Sequence, residues 1–453
     1  MQNLDIRNGR IGKLLWEFSL PAIIGMLVNA LYNIVGRIFV GRGVGSIAIA
    51  AITVALPIMT ILFAVAMLIG IGATALISIR LGEQKKEEVD KIAGNAAFLL
   101  ILLPVLLSII YVLFSDPILR LFGASSEVMP YARDYTYIIM LGGAPGAFSY
   151  GLNNFIRAEG NPKFAMFTQI IGALVNIILN YIFIFILGWG IKGSALATVI
   201  GQSVSAIWVL SYFFSGRSMI KLRLKNLKLQ MPIVVKIMTI GFAPFAMQIA
   251  NSVQLTILNK TLMIYGGDLA LAAVGIIMSV TMLLLMPIVG ISQGAQPLIG
   301  FNYGARLYGR VKETLKKGII AGMVMASGGY IIILTLAPQI VGLFSKDDLA
   351  LTQLTVHALA TFLAVLPIVG FQIVGANYFQ AVGKPVQSTI LSLSRQVLIF
   401  IPLLLILPNY YGIEGVWITA PIADVLSVMM TAAFLIFEMK KNRVFQPEVK
   451  NLY

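Results

Sequence analysis

The chain has 453 residues, 59% apolar and only 11% charged, with a mean hydropathy of +0.92. Soluble domains carry about 25% charged residues, so a water-soluble globule is excluded, and with it most soluble-enzyme classes. Lys and Arg outnumber Asp and Glu by 33 to 18, leaving a net charge of +15; there is no cysteine for a disulfide or thiolate site, and the single histidine, His357, excludes a histidine-cluster metal centre.

A bilayer-crossing helix needs about 20 apolar residues. Such stretches follow one another at 14–36, 47–78, 92–114, 131–152, 164–187, 194–215, 235–263, 269–300, 318–340, 353–379, 386–408 and 414–438. They are apolar on nearly every side, as helices that face lipid and one another must be, whereas barrel strands would alternate over about ten residues. The expected fold class is an all-α polytopic membrane protein with twelve transmembrane helices. Arg7, Arg10 and Lys13 precede the first span like the start of a signal peptide. Its apolar stretch is long and no small-x-small cleavage site follows, so it reads as a retained helix.

Twelve spans place both termini on one side, and the basic residues say which. With the N-terminus inside, 25 of the 33 fall on inner segments, at 7–13, 80–91, 157–163, 217–236, 306–317, 384 and 440–450. The outer side receives Arg37, Arg42, Arg120, Arg133, Lys192, Lys260 and Lys346, and only Arg395 sits mid-span. This positive-inside bias predicts cytoplasmic termini and accounts for the charge without a nucleic-acid partner. The longest basic loop, 216–230, lies at the midpoint of the chain. It divides the chain into an N-terminal six-helix lobe, 1–215, a cytoplasmic linker, 216–234, and a C-terminal lobe, 235–453. The linker is either a surface resting on anionic headgroups or a solvated tether.

The halves match at an offset of 222 or 223. Pro21 corresponds to Pro244, the run 48–51 to 270–273, Gly82 to Gly304, and Leu121-Phe122 to Leu343-Phe344. Asn154, Ala158, Gly160 and Pro162 meet Asn377, Ala381, Gly383 and Pro385, while Gly190 and Gly193 meet Gly412 and Gly415. Six spans is an even number, so both repeats enter the membrane from one side. Such parallel repeats flank a substrate path in known transporters.

The stretch Gly151-Leu-Asn-Asn-Phe-Ile-Arg-Ala-Glu-Gly-Asn-Pro-Lys163 resembles the loop after span 4 of the multidrug and toxic compound extrusion (MATE) family. So do Leu31-Tyr-Asn-Ile-Val and Ile38-Phe-Val-Gly41, Asn176-Ile-Ile-Leu-Asn180, Gln293-Gly-Ala-Gln-Pro297 with Asn302-Tyr-Gly304, and Ser394-Arg-Gln396. The resemblance runs from about residue 10 to 438 and is closest to the bacterial drug-exporting branch. It implies a V-shaped pair of six-helix bundles in the inner membrane, rocking between inward- and outward-open states. An organic cation or other amphipathic drug leaves as H⁺ or Na⁺ enters, with no cofactor and no oligomeric partner. The family commonly carries Asp where Gly36 stands, and this branch has Asp-Pro where Asn180-Tyr181 stands. Both usual N-lobe acids are missing.

Polar side chains within spans are costly, so they face a cavity or bond a neighbouring helix. In the N-lobe these are Asn33, Asn153, Asn154, Gln169, Asn176, Asn180, Thr198 and Gln202, with Gly36 added by the resemblance. Asn176 and Asn180 are four apart and share a helical face, which Asn33 can oppose from span 1. Neutral amides coordinate Na⁺ or bond a substrate but carry no proton. The C-lobe offers Gln248, Asn251, Gln254, Gln293, Gln296 and Gln372. Arg395 and Asp424 each lie about ten residues into a span, too deep for snorkelling, so an ion pair is expected. That pair is either permanent or opened when Asp424 takes a proton or cation. Glu17 reads as interfacial and His357 as an outer-end residue. Met278 and Met282, with Met247, Met263 and Met286, either form adaptable walls for varied ligands or simply fill the membrane interior. No phosphate-binding Gly-Lys-Ser/Thr is present, which speaks against ATP hydrolysis. A lipid-linked precursor flippase would want a strongly cationic cavity, and a non-transporting scaffold would move nothing; a cation-coupled exporter remains the leading expectation.

Overall fold

The computed structural model describes residues 5–342 and 349–441. Leu343, Phe344, Lys346, Arg443 and Lys450, used above in the repeat and charge arguments, lie outside them. The helices are α1 Ile11–Gly43, α2 Ser46–Gly82, α3 Lys86–Leu121, α4 Met129–Leu141, α5 Gly143–Ala158, α6 Pro162–Tyr181 and α7 Gly190–Phe214. They continue with α8 Met231–Gly267, α9 Leu269–Gly304, α10 Tyr308–Gly342, α11 Leu349–Phe362, α12 Leu366–Ala381, α13 Pro385–Tyr411 and α14 Ile413–Lys440. Ten of these helices are long and apolar enough to cross a membrane singly. The pair α11 and α12, bent by 49°, makes an eleventh span, and α4 with α5, joined at Gly142, occupies the place of the fourth of the twelve expected.

Local chemistry sets the ends. Asn161 caps α6 by accepting from the Phe164 N–H, and Pro162 occupies the first turn, where its missing N–H costs nothing. The break between α8 and α9 falls at Gly267, whose φ of +61° is open to glycine at little cost. Directly after α6, over Ile182–Ile186, and within α13, over Ser394–Leu398, the helical ladder opens into a π turn, seen as Leu187 N–H to Ile182 O and Ile399 N–H to Ser394 O, each 2.9 Å.

The described residues form two compact units, one of 5–8 with 24–248 and one of 9–23 with 249–342 and 349–441. Helices α1 and α8 therefore each contribute to both. Within the first unit, α8 meets α2 backbone to backbone: a Cβ on Gly241 would lie 1.7 Å from the Leu68 carbonyl oxygen. Within the second, the start of α1 meets α9 at the repeat-related place, where a Cβ on Gly294 would lie 2.8 Å from Ser19 backbone atoms. The first unit's core gathers Val40, Ile52, Tyr135, Ile139 and Ile191. The second centres on fully buried Trp417 with Val274, Ile277, Phe400 and Leu404.

The linker is bound to the first unit rather than solvated as a tether. Asn95, fully buried on α3, accepts from the Gln230 N–H at 2.7 Å and donates to the Asn226 carbonyl at 3.2 Å. Asp90 accepts from the Lys221 N–H at 2.8 Å. Glu159, in the turn after α5 and 1% exposed, accepts from the Ser218 hydroxyl at 2.7 Å and from the Ile220 N–H. Burial pushes the Glu159 carboxyl up to about 7, against the opposing pull of those hydrogen bonds. The second unit ties the corresponding turn with reversed polarity: Lys384, after α12, pairs with buried Glu438 near the end of α14.

Candidate substrate cleft

The first unit holds a small, partly open cleft that encloses about 60 Å³, well below the roughly 300–1,000 Å³ of drug-sized pockets. Its walls are Tyr32, Asn33, Gly36 and Arg37 of α1, Ile52, Leu56 and Met59 of α2, Tyr135 of α4, Asn176 and Asn180 of α6, and Ser194 and Thr198 of α7. The expected facing of Asn33 toward Asn176 and Asn180 is thus present. A hydrogen-bond chain runs along one wall. Asn180 Nδ2 donates to Asn176 Oδ1 at 3.0 Å, Asn176 Nδ2 to Thr198 Oγ1 at 3.2 Å, and Thr198 Oγ1 to the Ser194 carbonyl at 3.0 Å. The chain orients the Asn176 and Asn180 amides, while Asn33 donates to the Asn29 carbonyl of its own helix, and it leaves Asn180 Oδ1, buried, without a donor among the described residues. An orphaned acceptor in such a site has a pull on a ligand N–H, a cation or water.

Among the described lining residues there is no carboxylate and one cation, Arg37. Both positions where the family resemblance places an acid, Gly36 and Asn180, line this cleft. A Cβ on Gly36 meets nothing within 4 Å, so the position has room for a side chain. Tyr32, Arg37, Tyr135, Ser194 and the apolar walls of α2 are absent from the sequence-derived set. Two of them were within reach of helical periodicity: Arg37 follows Asn33 by four residues, and Ser194 precedes Thr198 by four. Tyr135 carries no such signal, because α4 comes to the cleft only through tertiary packing.

The other N-lobe candidates lie elsewhere. Asn154 donates to the Tyr150 carbonyl at 3.0 Å, and Asn153 is buried with Oδ1 unpartnered. With its amide oriented to satisfy both neighbours, Gln169 donates to the Gly25 carbonyl and accepts from the buried Arg157 guanidinium, each at 2.7 Å. Gln202 lies over Gly146 of α5. Gln169 and Gln202 thus meet neighbouring helices, Asn154 bonds within its own helix, and none of the four is among the residues lining the cleft. Gln248, also in the first unit, is not among the lining residues.

In the second unit Arg395 Nε donates to Asp424 Oδ1 at 2.6 Å, so the expected ion pair is present. The π turn of α13 carries Arg395, and the side chains are 23% and 10% exposed. Such turns recur at functional sites because they displace one residue from the regular ladder. Gln372 donates to the Leu391 carbonyl at 3.1 Å, one turn from that opening. Gln296 is buried with Nε2 unpartnered, Asn251, Gln254, Gln293 and Met278 are half-buried, and Met282 is exposed. His357 and Glu414 pair at 3.0 Å with both side chains half exposed, and Glu17 lies 4.0 Å from Lys13.

Repeated bundles of apolar helices, with a polar cleft sunk among the spans of one unit, define an all-α polytopic membrane transporter. Two stretches, 21–182 and 244–406, each match the MatE family, beginning at the repeat-related Pro21 and Pro244, and the chain belongs to that family. Among curated proteins it is similar to the multidrug export protein MepA of Staphylococcus aureus, 29% identical over 95% of this chain and 94% of the relative. Among solved structures it is similar to the MATE multidrug transporter DinF-BH, solved in complex with a dye, 37% identical, TM-score 0.89, covering 98% of this chain and 99% of the other. It is also similar to an outward-facing multidrug resistance MATE family transporter, 26% identical, TM-score 0.91, with 98% and 99% covered. The chain is a multi-span membrane protein of a bacterial multidrug-exporter family, and the resemblance drawn from its motifs is borne out.

Proposed function

We propose that this drug efflux transporter is a secondary active antiporter. It exports cationic or amphipathic drugs in exchange for H⁺ or Na⁺ by alternating access of its two six-span lobes, 1–215 and 235–453, as a monomer with both termini cytoplasmic. The observation that carries the reading is the acid-free cleft of oriented amides and aromatic rings at span depth. It is supported by the whole-length likeness to a transporter solved with a bound dye. Tyr32 and Tyr135 offer aromatic faces to an organic cation, and Asn180 Oδ1 accepts from its N–H. Neutral amides cannot take up a proton, so this cleft holds substrate while proton coupling falls to the second lobe. There Asp424 exchanges Arg395 for H⁺ or Na⁺ in one state and re-forms the ion pair in the other.

The test is uptake of ethidium into everted vesicles containing the full chain, under an imposed proton or sodium gradient. Gradient-dependent uptake is expected, and no uptake under either gradient would overturn the reading. The cysteine-free chain also makes orientation directly measurable. A single cysteine placed at Leu224 should react with an impermeant thiol reagent in everted vesicles and not in intact cells.

A further inference from the structure

Some of the basic residues assigned to the inner side are paired and others, including Lys86, Arg306, Lys312 and Lys316, form no ion pair among the described residues. Arg80 pairs with Glu83 and Glu88, Lys317 with Glu313, and Lys384 with Glu438. Arg217, Lys221, Arg223, Lys225, Lys228 and Lys236, in and just after the linker, form no ion pair among the described residues. All six are exposed. Nor is a carboxylate nearby in sequence, since no Asp or Glu occurs between Glu159 and Asp268. The acids that do reach the linker, Asp90 and Glu159, are engaged with its backbone N–H groups and the Ser218 hydroxyl, not with its cations.

The same segment shows apolar side chains to the outside. Leu224 is 86% exposed in the midst of Arg223 and Lys225, and the linker is flanked by Phe214 at 72% and Met231 at 67%, the last and first residues of two membrane helices. A leucine set among lysines and bracketed by lipid-facing ends matches the composition of an interfacial anchor. Because Asn95, Asp90 and Glu159 fix the backbone, these cations are held in place rather than recruited at an entropic cost on binding.

We propose that the basic segment from Arg217 to Lys236, the linker and the start of α8, is a preorganised docking surface for anionic phospholipid headgroups, with Leu224 inserted at the level of the headgroups. The occupant is lipid rather than a soluble acidic partner, because the surface joins the ends of two membrane helices and carries its apolar anchor between its charges. Each basic residue near an anionic surface strengthens binding by roughly fivefold.

The test uses the full chain purified in a non-ionic detergent and follows thermal unfolding while dioleoylphosphatidylglycerol is added to the micelles. Phosphatidylcholine and inorganic phosphate serve as separate arms. Phosphatidylglycerol should raise Tm saturably and the other two should not. The variant Lys221→Gln/Arg223→Gln/Lys225→Gln/Lys228→Gln should need at least about tenfold more phosphatidylglycerol for half-saturation. A control of equal charge loss outside the linker, Lys86→Gln/Arg306→Gln/Lys312→Gln/Lys316→Gln, should stay within about threefold of the parent, because these residues lie outside the proposed surface and its apolar anchor. Equal losses in the two variants, an unshifted linker variant, or a Tm rise reproduced by inorganic phosphate would each overturn the proposal. Two further variants keep every charge: Leu224→Ser removes the anchor and Asn95→Ala loosens the backbone. Each should weaken the phosphatidylglycerol response, and an unchanged response in both would refute a preorganised surface.

Discussion

Glu159 permits a quantitative test of how the linker is held. Its carboxyl is pushed from an ordinary 4.5 up to about 7 by burial, so the folded chain binds this proton more tightly than the unfolded chain. At about 1.4 kcal/mol for each tenfold in proton affinity, the difference amounts to about 3 kcal/mol. The sign follows from linkage. The stabilising contribution of the proton is fully present below about pH 4.5, declines as pH rises, and is gone above about 7. In Glu159→Gln the group is neutral throughout and the dependence disappears. The amide keeps one acceptor for Ser218 and Ile220 but loses the other, a cost of about 1 kcal/mol at every pH. Thermal unfolding of both proteins in detergent between pH 4 and 8 gives the difference in Tm as a function of pH, in which the titration of all other carboxylates cancels. The variant should start slightly below the parent at pH 4, overtake it between about pH 5 and 6, and lie above it at neutrality. A difference in Tm that does not vary with pH would refute the reasoning.

Asp424→Asn leaves the Arg395 charge half-buried without its partner. It should cost about 2–4 kcal/mol, toward the lower part of the range for broken buried pairs because Arg395 is 23% exposed. It should also abolish gradient-driven ethidium uptake; Arg395→Gln added to it should recover stability but not transport, and gradient-driven uptake in the single variant would sink the coupling assignment. Installing an acid in the cleft, by Asn180→Asp or by Gly36→Asp where a side chain has room, should steepen the proton dependence of transport. An unaltered pH profile in both would remove the cleft from the transport path. Gly241→Ala drives a methyl against the Leu68 carbonyl and should lower stability by about 1–3 kcal/mol, read as a fall in Tm. Ala at Gly328, where a Cβ meets nothing within 4 Å, should be near neutral by comparison.

Much was legible in the sequence because the bilayer makes it so. A helix that must satisfy its own backbone in hydrocarbon is a long apolar run, so ten of the spans announce themselves by length and apolarity, while those of α4–α5 and α11–α12 are broken. The offset of 222 or 223 between Pro21 and Pro244, or Asn154 and Asn377, is likewise a property of the string, and it exposed the repeat before any contact was known. Depth within a span was enough to pair Arg395 with Asp424, since two isolated charges there are prohibitive. Spacing of four placed Asn176 and Asn180 on one face.

What the string could not carry were facts about which surfaces meet. Asn153 and Asn154 are as polar as Asn176 and Asn180 and also buried, but neither lines the cleft, because side-chain direction depends on how α5 rotates against its partners. Tyr135 became a wall of the cleft through the packing of α4, and the linker's basic run became a fixed surface through Asn95, Asp90 and Glu159, all more than fifty residues away in sequence. The division at Ile23 and Gln248, inside helices rather than in loops, is also tertiary. Glycines at 241 and 294 let backbones touch, and so assign the start of each half's first helix to the unit of the other half. Hydrophobicity by itself determined what crosses the membrane, because burying apolar surface is indifferent to direction. Only close packing and hydrogen bonds, which depend on direction, decided which of the scarce polar groups share a cavity.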